Sequence, residues 1–333
     1  MNVQIIDNQS VWDSFVENSP DRSLFHNWDF LKIIEKHSGF KLLPYGIFSK
    51  NEDRLLSIFP LFMYKKFGIK LLFSQPPGSG IPYLGFLINP EYYSFKQRQK
   101  ESYLNLIVDS IEKEIEIISP DYINFSFVPN IKDVRPFKWN GFTIDVEYTY
   151  LIDLSSPVDE IWSSFDRNCR REIRTAEKYN LSVRNTKDAG TFYSIMEERY
   201  RQQGLRFPFF SREYLKDILA AFPENLEMFF ICDNEKIVDL VLTYEYNSRL
   251  VFWKGGVNLN KQIHSLEFFT WECIRQAKSK GLKILEIQGA NTNRLCFFKS
   301  KFNPAVETNF SVTKKDFVGK ISEYFYLNYL KRL

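Results

Sequence analysis

The sequence predicts a mixed α+β fold in two tandem units with mostly antiparallel sheets. Three observations lead there. The chain has 333 residues, 44% hydrophobic and 26% charged, the balance of an ordinary globular protein at a length that usually divides into two domains. Short β-branched and aliphatic runs alternate with amphipathic stretches. The order of elements also recurs, since each half has helices, then an antiparallel meander, then a helix and further strand.

In the first half, Trp12–Val16 and Leu24–Lys36 read as helices, the second with Asp21 and Ser23 available as caps. Leu42–Phe48 and Leu55–Tyr64 read as strands joined by the polar turn Lys50–Arg54, and Ile69–Ser74 as a third. Pro76–Pro82 (PPGSGIP) is a loop and Tyr83–Ile88 a short strand. Gln97–Ile118 is a long amphipathic helix, and Tyr122–Phe127 is a strand after the Ser119-Pro120 break. An irregular segment, Val128–Asn140, leads to the strand Phe142–Leu154.

Ser155–Pro157 is the natural boundary, with a serine cap and a proline at the first helical turn; it divides residues 1–154 from 155–314. Helices Val158–Phe165 and Arg167–Tyr179 follow, then strand Leu181–Asn185 and helices Thr191–Gln203 and Arg212–Ala221. Strands Leu226–Cys232, Lys236–Tyr246 and Leu250–Gly256 precede helix Ser265–Lys280, strand Lys283–Ile287 and strand Ala305–Val312. The tail Phe317–Leu333 is an aromatic helix with Ile321, Tyr324, Leu327 and Leu330 near one face. Core docking is the default for it, with membrane-surface contact as the alternative.

Composition excludes several classes. A net charge of +3 is too small to argue for nucleic acid or a membrane unless a local patch supplies the charge, and DNA is not an expected partner. Cys169, Cys232, Cys273 and Cys296 are scattered, framing neither disulfides nor a zinc site, which fits a reducing compartment. The start MNVQIIDNQSVWDSF has no signal-peptide pattern, and no apolar run is long enough to span a bilayer. A cytoplasmic location is expected. His26, His37 and His264 have no spacing for a triad or a metal, and neither GxSxG nor a P-loop occurs. No metal and no tightly bound cofactor are expected.

Chemistry concentrates in two stretches. In Gly281–Phe302 a buried strand runs into a Gly289-Ala290-Asn291 turn and then Phe298-Lys299-x-x-Phe302. Two apolar anchors there fix the backbone around one ammonium; a lysine snorkelling off a core element is the alternative. In Trp162–Lys178 (WSSFDRNCRREIRTAEK), Arg167, Arg171, Arg174 and Lys178 share one helix face with Arg170 beside them, against only Glu172 and Glu177. This is either a solvated, i,i+4-paired face or a cradle for phosphate or carboxylate. The order strand, strand, strand, helix, strand over Leu226–Ile287 brings the loop Val257–His264 (VNLNKQIH) to a helix N-terminus, where phosphates bind. That loop lacks a glycine pair, and Lys261 is its one cation.

At these positions the chain resembles the FemAB-like (BioF2-like) branch of the GNAT acyltransferase superfamily, relatives of the peptidoglycan bridge aminoacyltransferases. The resemblance lies in Trp162-x-x-Phe165 with RxxRRxIRxAEK, and in Leu266, Trp271, Ala277, Gly281, Gly289 and FKxxF; more loosely it includes Phe25–Lys32 and Pro60–Phe62. It implies two tandem GNAT-like (acyl-CoA N-acyltransferase) domains, with the segment from about 315 to 333 packing back on the first. It also implies transfer of acyl or aminoacyl groups to amines in peptidoglycan, cell-envelope or polysaccharide pathways. Lys299 resembles the family lysine that stabilises charge at the reacting carbonyl. Lys32 and Arg206 resemble acceptor-binding residues, and Arg170 the typical arginine of the basic helix.

From the residues alone, Glu286 is the nearest acid to the turn and the candidate base, a strand-edge salt bridge being the alternative. The resemblance implies that Trp253 and Lys254 in FWKGG, on the strand that lines the cleft in GNAT-like folds, are wall residues, with packing the alternative for Trp253; Asn291 and Phe298 belong to the turn and the FKxxF element. Arg206, Phe207 and Phe209 form a loop that either covers substrate or anchors to the core. An N-acyltransferase is therefore expected, its anionic or phosphorylated amine acceptor bound by Arg170, Arg171, Arg174 and Lys32. The co-substrate is acyl-coenzyme A or aminoacyl-tRNA, so tRNA is a possible partner. A non-catalytic double-GNAT binding module and an RNA-binding protein are the alternatives. Pro76–Asn89 holds no acidic residue, and donor, acceptor and oligomeric state stay open.

Overall fold

The computed structural model describes residues 1–50, 54–260 and 262–325. In chain order its elements begin with β1 (Asn2–Ile5), α1 (Gln9–Asn18), α2 (Trp28–Ser38), β2 (Lys41–Phe48), β3 (Leu55–Lys66) and β4 (Ile69–Phe73). Next are β5 (Leu87–Ile88), α3 (Gln97–Ile118), β6 (Tyr122–Ser126), α4 (Arg135–Trp139) and β7 (Thr143–Asp153). Then follow α5 (Val158–Ser164), α6 (Arg167–Ala176), β8 (Leu181–Asn185), α7 (Ala189–Arg201) and α8 (Arg212–Ala221). The remainder is β9 (Leu226–Asp233), β10 (Lys236–Tyr246), β11 (Arg249–Gly255), α9 (Ser265–Ser279), β12 (Ile284–Ile287), α10 (Asn293–Lys299), β13 (Ala305–Lys315) and α11 (Phe317–Phe325).

Two compact units emerge. The first holds Met1–Val146, Gly204–Tyr214 and the segment from Asn309; the second holds Glu147–Gln203 and Leu215–Thr308. The division falls inside β7, ahead of Ser155–Pro157. In the first unit the strand order is β1-β2-β3-β4-β6-β13, with β5 on β3; in the second it is β7-β12-β11-β10-β9-β8. Neighbouring strands are antiparallel except for β4 with β6 and β11 with β12. A helix lies in the chain between the partners of each parallel pair, α3 in one case and α9 in the other, as a parallel connection requires. The repeated mixed α+β unit expected from the sequence is thus present in backbone topology.

Several elements differ from the sequence reading for local reasons. The helix expected over Leu24–Lys36 divides: Leu24–His26 is a 3₁₀ turn, and Asn27 is extended, its side chain accepting from Asp29 N at 3.0 Å to cap α2. His26 is buried there, its ring bonded to Ser23 Oγ and Leu84 O, and burial pushes its pKa down to about 4. Of Tyr83–Ile88 only β5 pairs with β3, while Leu84 makes a lone bridge to Phe127. Helix α4 lies inside the segment read as irregular, and β1 is an exposed strand too short and too polar to announce itself. Lys261, residues 51–53 of the Lys50–Arg54 turn, and the tail beyond residue 325, including Leu327 and Leu330, lie outside the described residues.

The second unit's core joins both sequence stretches that carry the chemistry. Trp162 and Phe165, around the end of α5, pack on Trp271 of α9 with ring centroids 4.8 and 5.8 Å away. Phe165 also meets Phe302 at 5.4 Å, and Phe302 meets Phe298 at 6.0 Å. Fully burying each such ring contributes roughly 1.5–3 kcal/mol, so the FKxxF element is fastened to the basic helix through its aromatics. Lys301 completes the fastening: its ammonium bonds Glu172 of α6 at 2.9 Å and Glu267 of α9, and lies 4.3 Å from the Phe298 ring centroid. Asp166 N–H donates to Lys301 O at 2.9 Å.

Candidate active site

The parallel pair β11·β12 opens at one end. Pairing runs from Arg249↔Ile284 to Phe252↔Ile287. Beyond that, β11 stays on β10, with Lys254 opposite Leu242 and Gly255 opposite Val241. The other chain turns away at Gln288-Gly289, where Gly289 is left-handed. Opposite Leu242/Thr243 the β10·β11 register shifts, with Trp253 as the bulged residue of β11, and such a bulge twists the strand and re-aims the side chains that follow. Gly255 then has φ +140°, and a Cβ there would sit 2.3 Å from Leu240 O, so the strand can end this way only with glycine.

Two lysines flank the opening. Lys299, at the end of α10, is buried, and its Nζ donates to Gln288 O and, at 2.7 Å, to Gly289 O. An ammonium has three protons to donate, which leaves a third N–H beyond the two carbonyls. Half-buried Lys254 has no carboxylate or hydrogen-bond partner among the described residues. Burial pushes the Lys254 amine down to about 8, and the Lys299 charge pushes the same way. Burial likewise lowers Lys299 to about 8, against the opposing influence of Cys296 and Glu286. Both amines therefore lie at about 8, and only Lys299 has carbonyl partners that favour its charged form.

Glu286, the acid nearest the turn in sequence, does not fit the role of base. It is fully buried on β12, bonded by Arg249 Nη1 at 2.8 Å and by Thr149 Oγ1 at 3.0 Å, which makes it the anchor of an internal ion pair. Trp253 is buried and meets Tyr244 edge-on at 5.9 Å, so it forms wall by packing. Asn291 accepts from Tyr148 N at 2.7 Å and ties the turn to β7. Phe298 is half-buried and shares its face with Lys301, whereas Phe297 beside it is exposed.

The basic helix α6 is capped by Asp166, which accepts from Asn168 N at 2.8 Å. Its buried side is Cys169, Ile173 and Ala176. On the opposite side Arg167, Arg170, Arg171, Arg174 and Lys178 line one open cavity of about 760 Å³. Arg170 differs from the rest: its Nη1 donates to Ser163 O at 2.6 Å and Phe165 O at 2.9 Å, closing the α5–α6 corner. Arg174 lies 5.6 Å from the Trp162 ring centroid. Among the described residues no carboxylate is within ion-pair distance of Arg167, Arg171, Arg174 or Lys178. Glu172, one of the two acids that the sequence sets against these cations, is bonded by Lys301.

The loop ahead of α9 already contains an anion. Asp239, a fully buried residue of β10, accepts from Leu240 N at 2.8 Å and Val257 N at 2.9 Å, and its other oxygen accepts from Ser265 Oγ at 3.1 Å. The Asn258 amide also donates to it, and burial pushes its carboxyl up to about 6 against these bonds. The helix starts at left-handed His264 with no side-chain cap, and first-turn Glu267 is buried beside it. Loop amides and helix dipole, which would attract a diphosphate, therefore meet internal carboxylates. Sequence reasoning missed Asp239 and Lys301, because nothing local marks a β-strand aspartate or a second lysine in FKSKF as buried.

Glu172, His264 and Glu267 bring potential metal ligands within 4.8 Å of one another, but the Lys301 ammonium lies on both carboxylates and supplies the counter-charge. Lys32 and Arg206 belong to the first unit. Lys32, on α2, pairs with Glu35 one turn on, and Arg206 is exposed on the Gly204–Tyr214 segment. The rest of that segment is anchored: Phe207 and Phe209 are buried and stacked at 4.9 Å, and Tyr214 OH donates to Ser79 O at 2.9 Å in the PPGSG loop.

Residues 163–298 match the family model described as an acetyltransferase (GNAT) domain. No curated protein matches the chain. Among solved structures it is similar to FemX, with a TM-score of 0.67 at 13% identity, over 93% of this chain and 97% of that one. L-PGS from Bacillus licheniformis gives 0.57 at 10% identity over the whole of both chains. The C-terminal domain of a protein assigned as a lysylphosphatidylglycerol synthetase, from Agrobacterium fabrum, gives 0.56 at 9% identity over 94% of each. These likenesses establish the fold. No helix among the described residues is long and apolar enough to cross a membrane.

Proposed function

We propose, from the premise that this chain is an acyltransferase carrying a GNAT domain in a FemX-like fold, that it forms an amide on the primary amine of an anionic acceptor. The carrying observation is the pair of lysines at the mouth of the β11·β12 opening. The acceptor amine reacts as its free base, and neutral Lys254 takes a proton from the attacking nitrogen. The nitrogen bonds to the carbonyl carbon of the donor, and the oxyanion that develops is met by the third N–H of Lys299. The bond from carbon to the leaving oxygen or sulfur then breaks, and Lys254 returns the proton to that atom. The acceptor's phosphate or carboxylate lies on the α6 face, where the forked side chains of Arg171 and Arg174 suit a planar or tetrahedral anion.

Asp239 bears on the donor. With the Val257 and Asn258 amides bonded to an internal carboxylate, a coenzyme A diphosphate has neither free amides nor a favourable field at α9. This supports an aminoacyl ester, such as charged tRNA, in place of a thioester. The family resemblance supports an acceptor from peptidoglycan or another envelope precursor. A direct test offers radiolabelled charged tRNA and, separately, radiolabelled acetyl-coenzyme A, each with an extract of phosphorylated envelope precursors. Label should pass from tRNA into alkali-stable, amide-linked product, and Lys254→Met should slow the transfer about 10²–10⁴-fold. Transfer from acetyl-coenzyme A alone overturns the donor assignment, and equal transfer by the Lys254→Met variant overturns the role of Lys254.

A further inference from the structure

A different part of the molecule carries a binding surface. At one end of the first unit's sheet, three elements meet around Asp121. Its Oδ2 accepts from Lys70 N at 2.7 Å, its N–H donates to Lys70 O at 2.9 Å, and its carbonyl accepts from Asp316 N at 3.1 Å. Lys70 Nζ donates to Ile118 O at 2.6 Å at the end of α3. On β6, the neighbouring Tyr122 lies opposite Leu71 of β4 and Lys315 of β13. The β3–β4 turn, the α3 C-terminus and the start of α11 are therefore one local assembly.

That assembly is apolar on its outer side. Phe67 at the turn is 92% exposed, Ile117 on α3 76% and Phe317 on α11 77%. Helix α11 is oriented against the usual rule for a surface helix. It turns Gly319 inward, where a Cβ would sit 2.0 Å from Asp121 O, and Glu323 bonds Tyr122 OH and Lys315. Val318 and Ile321 join Phe317 on the solvent side. Over Phe317–Phe325 the side turned to the rest of the unit is the small and polar one.

The charges around the patch favour one occupant. Lys65, Lys66 and Lys320 are exposed and have no ion pair among the described residues. Asp121 and Asp316 are bonded to backbone amides, and Glu323 and Glu112 hold Lys315 and Lys314. Exposed Glu116 and Asp316 are the carboxylates that oppose them, Asp316 partly satisfied by the Gly319 amide. Aromatic and aliphatic tips on rigid elements, ringed by lysines, match the requirements of a lipid–water interface with anionic headgroups; a second copy of this chain would bring like charges together.

We propose that this end of the first unit docks on the surface of an anionic lipid bilayer, with Phe67, Ile117 and Phe317 entering the interface and the lysines reading the headgroups. The test is co-sedimentation of the full chain with vesicles of phosphatidylglycerol and phosphatidylcholine, and with phosphatidylcholine alone. Partition should be strong on the mixed vesicles, fall with salt and be weak on the neutral ones. Phe67→Ser/Ile117→Ser/Phe317→Ser should lower it about tenfold or more. Lys65→Glu/Lys66→Glu, which leaves the apolar tips intact, should remove the preference for anionic lipid. All five side chains are exposed, so far-ultraviolet dichroism should not change. No partition of the unaltered chain, or equal partition of both variants, overturns the proposal. A dimer that the triple variant dissolves, with no vesicle binding, also overturns it and assigns the surface to a second copy.

Discussion

Asp239→Asn provides a demanding test of the loop geometry, because it needs no substrate. The carboxyl is buried and raised from its ordinary 3.8 to about 6, so the folded protein holds a proton there that the unfolded chain has already released. Its contribution to stability is full below about 3.8 and is lost as pH rises through about 6. At 1.36 kcal/mol per pKa unit the loss is on the order of 3 kcal/mol between those limits. The asparagine variant cannot ionise. It loses one acceptor for the loop amides at every pH, a constant offset, but not the slope. Urea unfolding of the second unit, followed by the fluorescence of Trp162, Trp253 and Trp271, should show the unaltered chain losing stability relative to the variant by ~3 kcal/mol from about pH 4 to 7.5. With a urea slope of roughly 1–3 kcal/mol/M the relative midpoint moves by about 1 M or more. Parallel profiles would refute the reasoning, since they require Asp239 to be hydrated or already neutral, and the loop amides would then be free for a phosphate.

Other perturbations separate the remaining roles. Lys254→Met should lower the transfer rate about 10²–10⁴-fold; the unaltered enzyme's rate should rise with pH towards about 8, as this amine loses its proton, and fall beyond it as Lys299 loses its own, and the variant should lack the rising limb. Arg171→Ala and Arg174→Ala should each weaken binding of a phosphorylated acceptor about tenfold, read by titration calorimetry, with weaker salt dependence than the unaltered chain; unchanged affinity would leave α6 a solvated face. Arg249→Met should cost on the order of 3–5 kcal/mol in urea unfolding, because it strands the buried Glu286 carboxylate. A small loss there would mean that Glu286 is not held as an ion pair.

The packing of FKxxF against the basic helix was not legible in the chain; the mixed α+β class, the recurrence of one architectural unit and the aromatic anchors of FKxxF were. Each follows from short-range signals: alternation in β9 to β11, 3.6-residue spacing in α3 and α6, and aromatic anchors at Trp162, Phe165, Phe298 and Phe302. The boundaries that failed, at Asn27 and within Val128–Asn140, depend on a buried histidine and on a short helix with little periodicity of its own. Site chemistry was legible in residue type but not in partnership. Lys299 stood out because two phenylalanines bracket it, whereas Glu286 looked like a base because sequence distance says nothing about Arg249 and Thr149. Arg170 read as one of the acceptor-binding arginines, but folding brings the carbonyls of Ser163 and Phe165 to its guanidinium.

The sequence by itself determined which segments are helix or strand, where cations exceed anions and which aromatics anchor them, since propensity, periodicity and spacing are local properties of the chain. Only the tertiary structure decided which charges are neutralised. Lys301 pairs with Glu172 of the basic helix, Asp239 fills the loop before α9, and Lys254 sits beside Lys299 with no counter-ion among the described residues. The physical reason is that a charge's state depends on desolvation and on partners within a few ångströms, and those partners come from strands and helices far apart in the chain.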